Sequence, residues 1–222
     1  MPHPYWPLFD LVVRTPRIEV RYPDDELLIE LAALAARGVH EPDRMPFLTA
    51  WTRAPSPELE RAALKHWWAQ RAEWSPEKWN FVGAVVVDGV AAGVQGLHAE
   101  SFAVTGLVST GSWLGRDMQG QGLGKEMRAA VLHLAFAGLD ARVAYSGAFE
   151  DNARSLAVSR SLGYEENGDQ VRDREGSPAR EIRLKLTREA WEPTRRADIE
   201  IVGLDTCRNW FGVQTAEVPS TV

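Results

Sequence analysis

GRDMQGQGLGKEM, residues 115–127, sets Gly120, Gly122 and Gly124 two apart, directly ahead of a run with helical spacing. Glycines let backbone amides approach a ligand closely. The first amides of a helix carry partial positive charge, so a strand, glycines and a helix in that order suit a phosphate group. A plain tight turn would also use glycines, and spacing separates the readings. A Walker-type loop needs glycine five residues before Gly124 and a hydroxyl residue after Lys125, but Gln119 and Glu126 stand there. The dinucleotide pattern begun at Gly120 needs glycine where Lys125 stands. What remains is Gln119-x-x-Gly122-x-Gly124.

The flanking segments supply the required context. Ahead of the glycines, VTGLVSTGSWL (residues 104–114) reads as a strand. Behind them Leu123, Met127, Ala130, Val131 and Leu134 fall on one helical face, stopped by Gly138. Residues 141–147 read as a short buried strand. DNARSLAVSRSLGY (151–164) reads as a helix with an Asp or Asn cap and Gly163 at its exit, and REIRLKL (180–186) as an alternating strand after a charged turn.

Toward the N-terminus, residues 11–23 offer two short extended runs broken at Thr15-Pro16, the second alternating, which read together as an opening strand, and residues 24–37 repeat apolar positions at helical spacing up to Gly38. Residues 39–55 lack a period and read as a loop. Ser56-Pro57-Glu58 looks like an N-cap with proline in the first turn of a helix reaching Arg71. Residues 81–97 form two apolar runs joined by Asp88-Gly89, a strong hairpin signal. Hairpins beside strand-helix-strand units predict an α/β protein whose sheet is part antiparallel and part parallel.

At 222 residues the chain suits one well-buried domain. We place it at residues 1–191, with 192–222 as an extension that packs on the domain or on a partner subunit of a homo-oligomer. Net charge −6, from 25 basic and 31 acidic residues, argues against a nucleic-acid surface. A single cysteine, Cys207, excludes an intramolecular disulfide framework and fits a reducing compartment. The start MPHPYWPLFD carries no signal-peptide pattern, and no apolar run approaches the roughly 18 residues a membrane span needs. The expected location is cytoplasmic, with no membrane or nucleic-acid partner and no metal.

The glycine motif, with Asn152, Ser155 and Leu162-Gly163-Tyr164 on the following helix, resembles the GCN5-related N-acetyltransferases (GNAT). TPRIEVR (15–21) is similar to the family's first strand, particularly in the branch that acetylates N-terminal amines of ribosomal proteins. The resemblance covers roughly Thr15 to Leu186, with sharp motifs between Trp113 and Tyr164. It implies the GNAT fold, with a mixed, partly antiparallel sheet of six to seven strands and about four flanking helices. It also implies acetyl-CoA, or another acyl-CoA such as succinyl-CoA, as co-substrate, and a primary amine of a small molecule or protein N-terminus as acceptor.

Residue by residue, the resemblance assigns Ser112, Trp113 and Leu114 to backbone contacts with the pantetheine arm. The amides of Gln119, Gly120, Gln121, Gly122, Leu123, Gly124 and Lys125 would hold the pyrophosphate. Asn152 would reach the pantetheine region and Arg160 the nucleotide phosphates, although a solvated helix charge reads the same way. Many relatives carry a tyrosine seven residues after the asparagine, where this chain has Ser159. The ribosomal-protein branch has serine three residues after it, matched by Ser155, the candidate proton or hydrogen-bond donor to the departing thiolate. His98 and Glu100, at the end of the second hairpin strand, are the best-placed candidates for general base. Trp67, Trp68, Trp74 and Trp79 suit either the acceptor side or the core. Lacking the usual tyrosine, the chain also fits a second reading, a CoA-binding or scaffolding domain without catalysis.

Overall fold

The computed structural model describes residues 3–213. Its opening run is a tight hairpin, β1 (Val12–Arg14) and β2 (Glu19–Arg21), rather than one strand. Thr15 closes the turn: its amide donates to the Ile18 carbonyl at 3.0 Å and its Oγ1 accepts from the Ile18 amide at 3.2 Å. Helix α1 (Asp25–Arg37) starts on Asp24, whose carboxylate accepts from the Leu27 amide, and stops at Gly38 with φ of 115°. Helix α2 (Glu58–Ala72) begins after Pro57, but Ser56 does not cap it. The Ser56 hydroxyl donates to Glu60 Oε1 at 2.6 Å instead.

Strands β3 (Lys78–Val87) and β4 (Val90–Glu100) are joined by Asp88 and Gly89, both at positive φ as a two-residue hairpin turn requires. The single turn α3 (Phe102–Thr105) leads into β5 (Leu107–Leu114). Helix α4 (Leu123–His133) follows the glycines and runs on as a π-turn over Leu134–Gly138. Then come β6 (Val143–Phe149), α5 (Ala153–Ser161), the hairpin β7 (Glu165–Arg174) and β8 (Ser177–Thr187), the single turn α6 (Arg188–Trp191) and β9 (Glu200–Val202).

Among the described residues, nine strands form one sheet in the order β7-β8-β6-β5-β4-β3-β2-β1-β9, and six α-helices flank it. Both counts exceed the sequence expectation of six to seven strands and about four helices. The additions are the second strand of the opening hairpin, β9 and the single turns α3 and α6. Each has at most four residues, too short to show a period. The mixed character is as expected, since every pairing is antiparallel except β5 with β6.

Helices α1 and α2 cover one face, where Leu28, Leu31 and Trp67 pack on Val82, Ala84 and Val94. Helix α4 lies on the other face and is buried almost throughout, the expected state of a helix with apolar residues on most sides. Its two buried charges, Glu126 and Arg128, bracket the site. Residues 192–213 pack on the domain. β9 pairs with β1, and Trp74 and Trp79 donate their indole N–H groups to the carbonyls of Trp210 and Phe211 at 3.0 and 3.1 Å. Residues 214–222 of the expected extension lie outside the described residues.

Candidate active site

The glycine loop is a turn in which Gly120 (φ 76°) and Gly122 (φ 81°) both take the left-handed conformation. Alternating such residues with right-handed or extended ones points successive amides into one concavity. Of the seven amides from Gln119 to Lys125, the two end ones are engaged inside the protein, Gln119 with the Arg116 carbonyl and Lys125 with that of Gly122. The amides of Gly120, Gln121 and Gly122 make no backbone bond among the described residues. Leu123 and Gly124, as the first two residues of α4, have no intrahelical acceptor. Five consecutive amides are therefore left without a backbone acceptor at the positive end of a helix.

Side chains fix this loop from three directions. Gln119 uses its amide to bind the chain around it: Nε2 donates to the carbonyls of Val39 at 2.8 Å and Leu114 at 3.0 Å. Arg154, on the first turn of α5, donates to Gln119 Oε1 at 3.3 Å. Arg17, from the β1–β2 turn, donates through Nη1 to the Gln121 carbonyl at 3.0 Å and through Nε to Glu126 Oε2 at 2.6 Å. Thr15 Oγ1 donates to the other Glu126 oxygen at 2.6 Å. Burial raises the Glu126 pKa, but these two donors and the Arg17 charge outweigh it and leave the carboxyl below its ordinary value.

Behind the loop the sheet splits. β5 and β6 pair only through Leu107–Val143, Val108–Ala144 and Ser109–Tyr145. Further along, β5 stays with β4 and β6 stays with β8, leaving Gly111–Leu114 and Ser146–Phe149 as facing edges. Unpaired strand edges can bond an amide-bearing chain laid between them. Arg128 fills the interior of this fork at 3% exposure. It donates through Nε to Gln95 Oε1 at 3.2 Å, and through Nη1 and Nη2 to the hydroxyls of Ser146 and Ser112, both at 3.0 Å. Tyr164 packs into the same interior, its hydroxyl against Arg128 and Thr110 without completing a hydrogen bond.

The structure gathers most of the candidates around the loop and fork. Ser112, Trp113 and Leu114 form one lip. Trp113 turns toward the α1–α2 face, where Trp51 lies 5.9 Å from it between ring centroids. The loop of residues 39–55 walls that side, tethered by Arg44 to the Asp151 carbonyl at 2.6 Å and by Arg53 to Glu175 at 2.9 Å. Asn152 caps α5, its Oδ1 accepting from the Ser155 amide at 3.2 Å, which sets the half-buried Ser155 at the head of that helix beside the fork. Ser159 is fully buried and its hydroxyl has no partner, so it does not reach solvent where relatives place a tyrosine.

Three candidates stand apart from this cluster. Arg160 is exposed and paired with Glu166 at 2.7 Å. Glu100 is exposed and paired with Lys78 at 3.6 Å. His98 lies opposite Ser109, where β5 and β6 are still joined, on the same face of β4 as Val94. Desolvation pushes its pKa below the ordinary imidazole value against an opposing pull from Glu100, although by surface area the residue is exposed. The tryptophans divide: Trp67 and Trp79 are core, Trp74 stacks on Trp79 at 6.1 Å, and Trp68 is exposed.

A cavity of about 530 Å³ continues from the loop between α4, the end of α5 and the segment after α6. Lys125, Ser161, Leu162, Trp191 and Arg196 line it. A second cavity of similar size sits at the opposite end of α1 from the loop, beside Phe9, Tyr22 and Glu30. Sequence reasoning missed Arg17, Arg128, Arg154 and Arg196, because an arginine on a helix or turn reads as a solvated charge. Only the unbroken apolar flanks of Arg128 (Met127, Ala129, Ala130, Val131) signal burial. Among the described residues no group of three or more His, Cys, Asp or Glu could hold a metal ion, and no helix is long and apolar enough to cross a membrane.

Residues 17–165 match the acetyltransferase (GNAT) domain family. Among solved structures, RimL, described as a ribosomal L7/L12 alpha-N-protein acetyltransferase in complex with coenzyme A, is 17% identical. That match covers 79% of this chain and 97% of RimL, with a TM-score of 0.60. A GNAT-family acetyltransferase from Bacillus anthracis is 14% identical, over 80% of this chain and 99% of its own, with a TM-score of 0.62. A GCN5-related N-acetyltransferase from Brucella melitensis is 15% identical, over 82% and 80%, also with a TM-score of 0.62. At these identities the structures establish a common fold.

Proposed function

The chain belongs to the GNAT acetyltransferase family, and from that premise we propose that it is an acyl-CoA-dependent N-acyltransferase acting on a primary amine. One observation carries the reading: five amides at the head of α4 have no backbone acceptor among the described residues, and Gln119 ties their loop to the end of β5 where that strand has left β6. A diphosphate on the amides would lead a pantetheine arm, with its own amide groups, along the edges Gly111–Leu114 and Ser146–Phe149. The thioester would then lie inside the fork. The cavity beside Lys125 and Arg196 would take the nucleotide end.

In this reading Ser112, Trp113 and Leu114 hold the arm, Asn152 shapes the head of α5, and Ser155 donates to the departing thiolate. Positioning supplies much of the rate, since Ser159 is closed off and no strong acid is at hand. The amine enters from the α1–α2 side past Trp113 and Trp51, and His98 on that face is the candidate that takes its proton, directly or through water. Acetyl is the default acyl group, succinyl is the principal alternative, and the acceptor is a protein N-terminus or a small amine. The single, deeply buried cysteine supports a reducing, cytoplasmic setting.

A thiol-release assay tests the proposal, with acetyl-CoA and succinyl-CoA each offered a panel of small amines and N-terminal peptides. The expected result is amine-stimulated release of free CoA. Tight CoA binding with no stimulation by any amine would overturn catalysis and leave a CoA-binding domain.

A further inference from the structure

Arginine is seldom buried without a carboxylate, because its charge must be both hydrogen-bonded and balanced. Arg128 departs from this rule at the centre of the site. It is 3% exposed, yet its three partners are an amide and two hydroxyls, and it forms no ion pair among the described residues. Those bonds engage three of the five guanidinium N–H groups, leaving one on each terminal nitrogen. Gln95 on one side is itself fully buried, and the Tyr164 hydroxyl nearby lacks a hydrogen bond. On the other side Ser112 and Ser146 are only half-buried, and Gly111 and Gly147 beside them are exposed. The cation therefore lies beneath Ser112 and Ser146 at the point where the strands part, with Gly111 open on the far face and the Glu181 carboxylate, held by Gln170, against Gly147.

Resting on the acyl-CoA reading above, we infer that Arg128 selects an acyl donor whose short chain ends in a carboxylate, of the dicarboxylic class. A thioester lying in the fork points its acyl chain at these two serines. A terminal carboxylate there accepts the two unused N–H groups and balances the buried charge, which a methyl group leaves uncompensated. We assign the carboxylate to the donor, because the strand edges that would carry the donor's arm include Ser112 and Ser146, the two hydroxyls bonded to Arg128. The acceptor side is the opposite face, marked by Trp113 and Trp51.

Calorimetric titration of the full chain, without any amine, tests this with succinyl-CoA, butyryl-CoA and free CoA. Succinyl-CoA is expected to bind about tenfold or more tightly than butyryl-CoA, which has the same chain length and no charge. In Arg128→Met that ratio falls to about one. Equal binding of the two thioesters by the wild-type protein, a comparison that needs no variant to fold, overturns the inference and leaves the acyl-CoA reading intact. Failure of free CoA to bind overturns both together.

Discussion

Gly122 carries two demands at one residue. Its φ of 81° lies where an L side chain costs about 1–2 kcal/mol, and its amide belongs to the group facing the proposed diphosphate. Gly122→Ala is therefore expected to lose about that much stability in urea melts. Gly122→Glu should lose a similar amount and, in addition, most of its CoA affinity, because the carboxylate repels the diphosphate. A folded Gly122→Glu variant that binds CoA as well as the wild type removes the loop from the donor site. The residue types at this loop were legible because glycine at positive φ has few substitutes, and because the motif's spacing excluded other phosphate loops. The arginines that set the loop's geometry were not legible. Arg17 reaches Gln121 and Glu126 from more than 100 positions away in sequence, and no local pattern records such a contact.

Helix α4 works as an element because its charged residues are answered from elsewhere. Glu126 ties its first turn to the β1–β2 turn through Thr15 and Arg17, so the loop's inner edge is braced by the far end of the sheet. The folded carboxyl titrates below its ordinary value, so its contribution is present above the unfolded pKa, about 4.3, and is lost as pH falls through the folded value. Glu126→Gln should accordingly be less stable than wild type by about 1–2 kcal/mol at pH 7, and the gap should close in urea melts taken toward pH 3. A gap of constant size across that range would show that shape, not charge, is what Glu126 supplies. The element itself was readable from apolar spacing. Its unusual depth of burial was not, since burial on every side depends on what the rest of the chain lays over it.

At the scale of the molecule, the segment after α6 closes the sheet and plugs its end. β9 extends the sheet beyond β1, and Phe211, with no exposure, packs against Trp74 and Trp79 at 5.3 and 4.9 Å. Phe211→Ala should cost about 3–5 kcal/mol, read as a lower urea midpoint with a single transition. A small loss, or a separate early transition, would mean that residues 192–213 unfold independently of the domain. The same packing buries Cys207 and, with Asp10 and Asp205 nearby, pushes its thiol up to about 12, so it stays protonated and inert at neutral pH. The sequence by itself determined the α/β class, the Asp88-Gly89 hairpin, the strand-glycine-helix junction and a helix beginning at Asp151 or Asn152. Each of these follows from backbone preferences acting over a few residues. Only the tertiary structure decided which amides remain free, where β5 and β6 part, and that Arg128 sits beneath the fork without a counter-charge. Those features arise from long-range packing, in which a side chain's environment is set by segments that its own neighbours in sequence do not specify.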